Sequence, residues 1–139
     1  MKRAMILTAA LAAGLTAMAA LAASPPKITP VAAATTTWSG QPIALPQGAV
    51  EVKAATVEIA VGGALPPHKH PYPRYAYVEA GRLSVTNEVT GVTREFGAGE
   101  FVVEAIDQWH SGKVVGDAPL RLLVIDQAPP GSVNVVAKP

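Results

Sequence analysis

The 139-residue chain predicts an all-β, single-domain barrel, and three observations carry that expectation. Short runs rich in Val, Ile, Leu and Tyr recur from Val50 onward at intervals of roughly 8 to 12 residues, with Gly- or Pro-marked turns between them, the spacing of a sandwich or barrel. Apolar positions with helical periodicity are confined to the N-terminal leader. All three histidines fall into one pattern: His68 and His70 lie two apart behind Gly62-Gly63, and His110 follows 40 residues later.

Taken in order, Lys2 and Arg3 precede an uncharged, Ala- and Leu-rich run over residues 4–24, and Ala20-Leu21-Ala22 forms a small-x-small cleavage signal. Residues 1–22 therefore read as a signal peptide, and the protein as periplasmic or secreted. A retained anchor is the alternative, since the run is long enough to span a bilayer. Alanine is only weakly apolar, however, and Ser24, Pro25 and Pro26 follow at once, so no stable membrane anchor is expected after processing. Residues 23–48 carry Pro25, Pro26, Pro30, Pro42 and Pro46 and read as a Pro/Ala/Thr-rich arm lying on the barrel.

Residues 49–127 form the barrel. Val50, Val52, Ala54 and Thr56 alternate with outward positions, and Val57, Ile59 and Val61 take the opposite phase, which predicts a bulge or bend near Thr56. Gly62-Gly63 ends that strand. Residues 75–79 and 83–88 flank Ala80-Gly81 as a hairpin, Thr90-Gly91 turns the chain into residues 92–96, and residues 101–104 and 120–125 complete the set. Residues 128–139, with the turn Pro129-Pro130-Gly131, form a C-terminal arm whose Val133, Val135 and Val136 suit an edge strand. Edge strands at both ends invite pairing between copies, so a homodimer is expected.

Histidines at i and i+2 on one strand point to the same face, so His68 and His70 can share an interior point that His110 closes from another strand. Three neutral imidazoles hold a divalent transition metal and leave positions open on it; iron, manganese, nickel, zinc and copper all accept them. The alternative is a histidine pair in a Pro-rich surface loop and one unrelated histidine.

The spacing around them is more specific. Gly62, five residues, His68-Lys69-His70, three residues, Arg74, six residues and Gly81 are followed later by Gly99, ten residues and His110. This pattern resembles the two short motifs of the cupin family over roughly residues 50–127, which implies a jelly-roll β-barrel and a metal held by His68, His70 and His110. Two departures stand out. Arg74 occupies the place of the family's glutamate, its fourth metal ligand, and Ala105 and Asp107 stand where proline and glycine are usual.

A guanidinium cannot ligate a cation, but facing inward it suits an anionic small molecule, held in a bidentate pair. Facing outward, Arg74 would pair with a surface acid such as Glu79. Glu104 is the best replacement carboxylate, although one residue of offset turns it outward. Tyr72, Tyr75 and Trp109 cluster near the histidines as candidate pocket walls, with Tyr77 as barrel filling. Gln108 or Asp107 can orient His110 through its other ring nitrogen.

Composition removes other classes. Without Lys2 and Arg3, nine basic residues face ten acidic ones for a formal charge of −1, and no basic cluster suggests nucleic acid. No cysteine is present to form a disulfide, carry a lipid or act as a nucleophile. Two readings remain: an exported metal enzyme acting on a small acidic molecule, dioxygenase- or isomerase-like, and a binding or sensing module without turnover, with or without metal.

Overall fold

A computed structural model describes residues 24–139; the leader expected over residues 1–22 lies outside them. Nine strands and no helix occur among the described residues. One antiparallel sheet orders β1 (Glu51–Ile59), β8 (Leu120–Ala128), β3 (Arg74–Ala80) and β6 (Phe101–Val103). The other orders β5 (Thr93–Gly97), β4 (Arg82–Asn87), β7 (His110–Val114), β2 (Ala64–Lys69) and β9 (Val136–Ala137).

Alternation builds the core between these sheets. Ala76 and Val78 of β3 and Leu120, Leu122 and Val124 of β8 face Leu83 and Val85 of β4, Phe96 of β5 and Val114 of β7, all of them buried. Each Val, Leu or Phe side chain among them contributes about 1.5–3 kcal/mol through removal from water. Arg74 shares the inward parity of Ala76 and Val78, which decides the direction that the sequence left open.

Two local expectations are corrected. β1 pairs with β8 without interruption from Glu51↔Ala128 to Ile59↔Leu120, so no bulge occurs at Thr56. The apparent phase change arises because the outward positions Val52 and Ala54 are also apolar. Ala80-Gly81 does not close a hairpin either: β3 pairs with β6 and β8, whereas β4 pairs with β5 and β7, so the chain passes there from one sheet to the other. Thr90-Gly91 does close the β4–β5 hairpin.

Both arms join the barrel. Trp38 donates its backbone N–H to Val103 O at 2.9 Å and packs edge-on against Phe96, while the Gln41 side chain bonds both backbone groups of Ile106. At the other end β9 adds to β2, pairing His68↔Ala137 and Lys69↔Val136.

Gly81 and Gly91 both have positive φ, +78° and +71°, but a Cβ on Gly81 would lie against the Pro119 carbonyl and 2.9 Å from Leu120 Cα, whereas one on Gly91 would meet open space. Gly81→Ala is therefore expected to cost at least about 2 kcal/mol more than Gly91→Ala in urea denaturation. Equal midpoints for the two variants would contradict this account of the crossover.

Candidate metal centre

The three histidines meet because β2 and β7 are neighbours. His68 on β2 stands directly across from His110, the first residue of β7, and His70 follows at the end of β2, bridged to Ile106. Their ring centroids lie 4.5–5.0 Å apart, and one ligand nitrogen from each falls within 4.8 Å of the others. Donors bound tetrahedrally at about 2.1 Å to one ion lie about 3.4 Å apart, so the rings need to close by up to about 1.4 Å to hold one.

Backbone carbonyls set the rings. His68 Nδ1 is 2.7 Å from Pro66 O, His70 Nδ1 is 2.6 Å from Asn134 O, and His110 Nδ1 is 2.8 Å from Gln108 O. A carbonyl only accepts, so each Nδ1 carries a proton, and in the neutral ring each Nε2 keeps its lone pair. This is the tautomer that a metal-bound imidazole needs. Gln108 orients His110 through its main chain, while its side-chain oxygen accepts from Asn87 at 2.7 Å and Ser39 at 3.0 Å. Asp107 instead pairs with Lys69 at 2.6 Å.

Glu104 enters from the neighbouring sheet, immediately after β6. Its Oε2 lies 3.0 Å from His70 Nε2 and 3.4 Å from His110 Nε2, yet neither buried nitrogen has a hydrogen-bond partner. Burial would raise the Glu104 pKa, but His110 and His70 outweigh it and hold the carboxyl well below its usual range. Burial lowers the His68 pKa and favours its neutral ring. Burial also opposes a proton on His110, though Glu104 outweighs it and raises that pKa. An ionised carboxylate 3.0 Å and 3.4 Å from two imidazole nitrogens is satisfied by protons on those nitrogens or by a cation held among them. The three-histidine donor set thus fits a divalent transition ion, and Glu104 stands beside it next to His70 and His110.

Arg74 stands beside Glu104 across the β3–β6 ladder, and the Glu104 N–H donates to Arg74 O at 2.9 Å. Its side chain faces the cavity, but its fork is engaged by Asp126 on β8: Nε to Oδ1 and Nη2 to Oδ2, each 2.7 Å. Asn134 Nδ2 donates to the same Asp126 at 2.6 Å, and Asn134 Oδ1 accepts the Tyr72 N–H at 2.8 Å. Buried Asn134 therefore links the Arg74 pair to His70. Glu79, the outer partner weighed for Arg74, pairs with Arg121 instead.

His68, His110, Glu104 and Arg74 form the polar end of a cavity of about 260 Å³ whose walls include Trp38, Val57, Leu83, Val85 and Phe96. Of the aromatic residues expected around it, Tyr72, Tyr75 and Trp109 are absent from its lining. Tyr75 faces outward with Phe101 under the N-terminal arm, and Trp109 lies beneath Lys69 Nζ. Residues 71–73 precede the start of β3, so Tyr72 occupies a loop, and only the inward parity from Arg74 onward reaches the pocket. Trp38 supplies an aromatic wall that the sequence did not disclose; it lies within the Pro/Ala/Thr-rich arm, behind Pro25, Pro26 and Pro30.

A family model described as Cupin domain matches residues 55–126, and the chain belongs to that family. No curated protein matches it. Among solved structures it is similar to Lactobacillus farciminis oxalate decarboxylase in a formate complex, with 30% identity and a TM-score of 0.54 over 62% of this chain and 26% of that one. A recombinant oxalate oxidase in complex with glycolate is 26% identical, with a TM-score of 0.53 over 62% of this chain and 45% of that one. The DMSP lyase DddQ from Ruegeria pomeroyi shares the fold at 23% identity and a TM-score of 0.54, over 63% of this chain and 43% of that one. The chain thus spans less than half the length of these three proteins.

Burial raises the Asp126 pKa, but hydrogen bonds from Arg74 and Asn134 outweigh it and hold it below its ordinary value. A depressed carboxyl adds stability that is present above the unfolded value, about 3.9, and is lost as pH falls through the folded one. Asp126→Asn is expected to shrink the drop in urea midpoint between pH 6 and pH 3. An unchanged drop would show that the Arg74–Asp126 pair does not contribute to acid stability.

Proposed function

We propose that this cupin holds one divalent transition ion through His68, His70, His110 and Glu104, and acts there on a small molecule with an anionic head. The arrangement that carries this reading is the set of three Nδ1–carbonyl bonds that leaves three ring nitrogens close together, those of His70 and His110 beside the half-buried Glu104 carboxylate. When bound, the ion supplies Lewis-acid polarisation or activation of water or oxygen. The formate and glycolate complexes of the similar proteins support a carboxylate-bearing ligand, and fold alone would not.

The residues of the chain divide the remaining work. The histidine rings are oriented before any ligand arrives, which limits reorganisation. Arg74, tied to Asp126, sets a positive charge beside Glu104, whose carboxylate His110 and His70 hold ionised. The apolar wall excludes water from the polar end, where each charge then acts through a low dielectric. Departure from the family's glutamate position is offset here, because the carboxylate comes from beyond β6 and the arginine from β3.

Binding without turnover is the second reading, and one observation favours it. Apart from His68, His110 and Glu104, the cavity lining contains no side chain free to give or take a proton, since Arg74 is engaged by Asp126. Oxygen consumption or ligand loss with the metal-loaded protein separates the two.

Elemental analysis of the untagged protein is expected to show one transition ion per chain, lost in His68→Ala and in His110→Ala. Asn134→Ala, which loosens the support of His70, is expected to weaken affinity by roughly 10- to 100-fold. Equal metal content in all four proteins would remove the ligand assignment. Export through residues 1–22 and pairing of two copies belong to the same proposal; sedimentation of periplasmic protein at twice the processed mass is the expected result, and a monomer would exclude the dimer.

A further inference from the structure

Beyond its polar end the cavity changes character. Past His68, His110, Glu104 and Arg74 it is lined only by apolar or aromatic residues from both sheets and both arms, among them Trp38, Val57, Val78, Leu83, Val85 and Phe96. No hydroxyl, amide or free charge stands there to receive a second polar group. A carboxylate pushed into such a wall loses its hydration without replacement, whereas each methylene buried there improves affinity about fourfold.

The charges at the polar end also count. Glu104 and Asp126 carry one negative charge each and Arg74 one positive, so with a divalent ion the sum is +1. A single negative head neutralises it. The Arg74 fork, the one group in the lining able to clamp a second carboxylate in a bidentate pair, already holds Asp126 at 2.7 Å through both arms.

We infer that the ligand is an amphiphilic monoanion, with one carboxylate-type head at the histidine end and an apolar body filling the chamber between the sheets. This rests on the metal-site reading above for the position of the head, and on the cavity wall alone for the body. Short, wholly polar acids would leave the chamber unfilled, and linear diacids would drive their second charge into it.

The test is titration calorimetry of the zinc-loaded, full-length processed protein with acetate, butanoate, hexanoate, oxalate and adipate, and zinc content measured on the same samples. Hexanoate is expected to bind at least tenfold tighter than acetate, and also tighter than adipate, which has the same number of carbons and one charge more. Val57→Phe, placed on the edge strand β1 where the side chain is only half-buried, is expected to erase the gain from acetate to hexanoate. Retained zinc with a flat chain-length series, or with oxalate or adipate binding as tightly as hexanoate, overturns the inference and leaves the metal reading intact. A persisting series in protein that retains no zinc overturns the metal reading and leaves the apolar chamber standing. Should the variant fail to fold, the wild-type series still decides.

Discussion

Three backbone carbonyls decide where three imidazole nitrogens look. Pro66, Asn134 and Gln108 each accept from an Nδ1, and the consequence is a convergence of Nε2 atoms at one point beside Glu104. Buried polar atoms without partners cost about 1–3 kcal/mol each, and two of these nitrogens are in that condition. A fold that tolerates this needs support around it. The support comes from both ends of the chain: the N-terminal arm closes the barrel with Trp38 and fixes the Ile106 loop through Gln41, and the C-terminal arm brings Asn134 beneath His70.

Arg74 and Glu104 are best understood together. They are neighbours across adjacent strands, so an acid at one position and a base at the other present nearly the same pair of charges to the cavity whichever way they are arranged. A permanently charged arginine at the first position would repel a cation if left alone. Asp126, paired to it in register on β8 and bonded through both arms of the fork, neutralises that charge at short range. What faces the histidines is then the half-buried Glu104 carboxylate, which His110 and His70 hold ionised.

Much of this was legible in the residues. The i, i+2 histidines, the glycines that frame them and the third histidine downstream disclosed both the barrel and the convergence, because strand alternation and turn chemistry act locally. Strand β2 was harder to see, since Pro66 and Pro67 interrupt it and its pairing shifts register there. The Ala80-Gly81 turn misled because a turn residue marks a reversal but not the sheet that receives the next strand. The partners of Arg74 were hidden for a related reason: Asp126 lies 52 residues away and only strand order brings it near. Likewise, main-chain acceptors such as Asn134 O leave no side-chain signature, and the tyrosines near the histidines in sequence point outward or occupy the loop before β3.

Anomalous diffraction from crystals grown with zinc tests the central arrangement most directly. The account predicts a single strong peak inside the barrel, at about 2.0–2.2 Å from the Nε2 atoms of His68, His70 and His110 and from a Glu104 oxygen. A peak bound through any Nδ1, a peak elsewhere on the surface, or a barrel interior with none would contradict it.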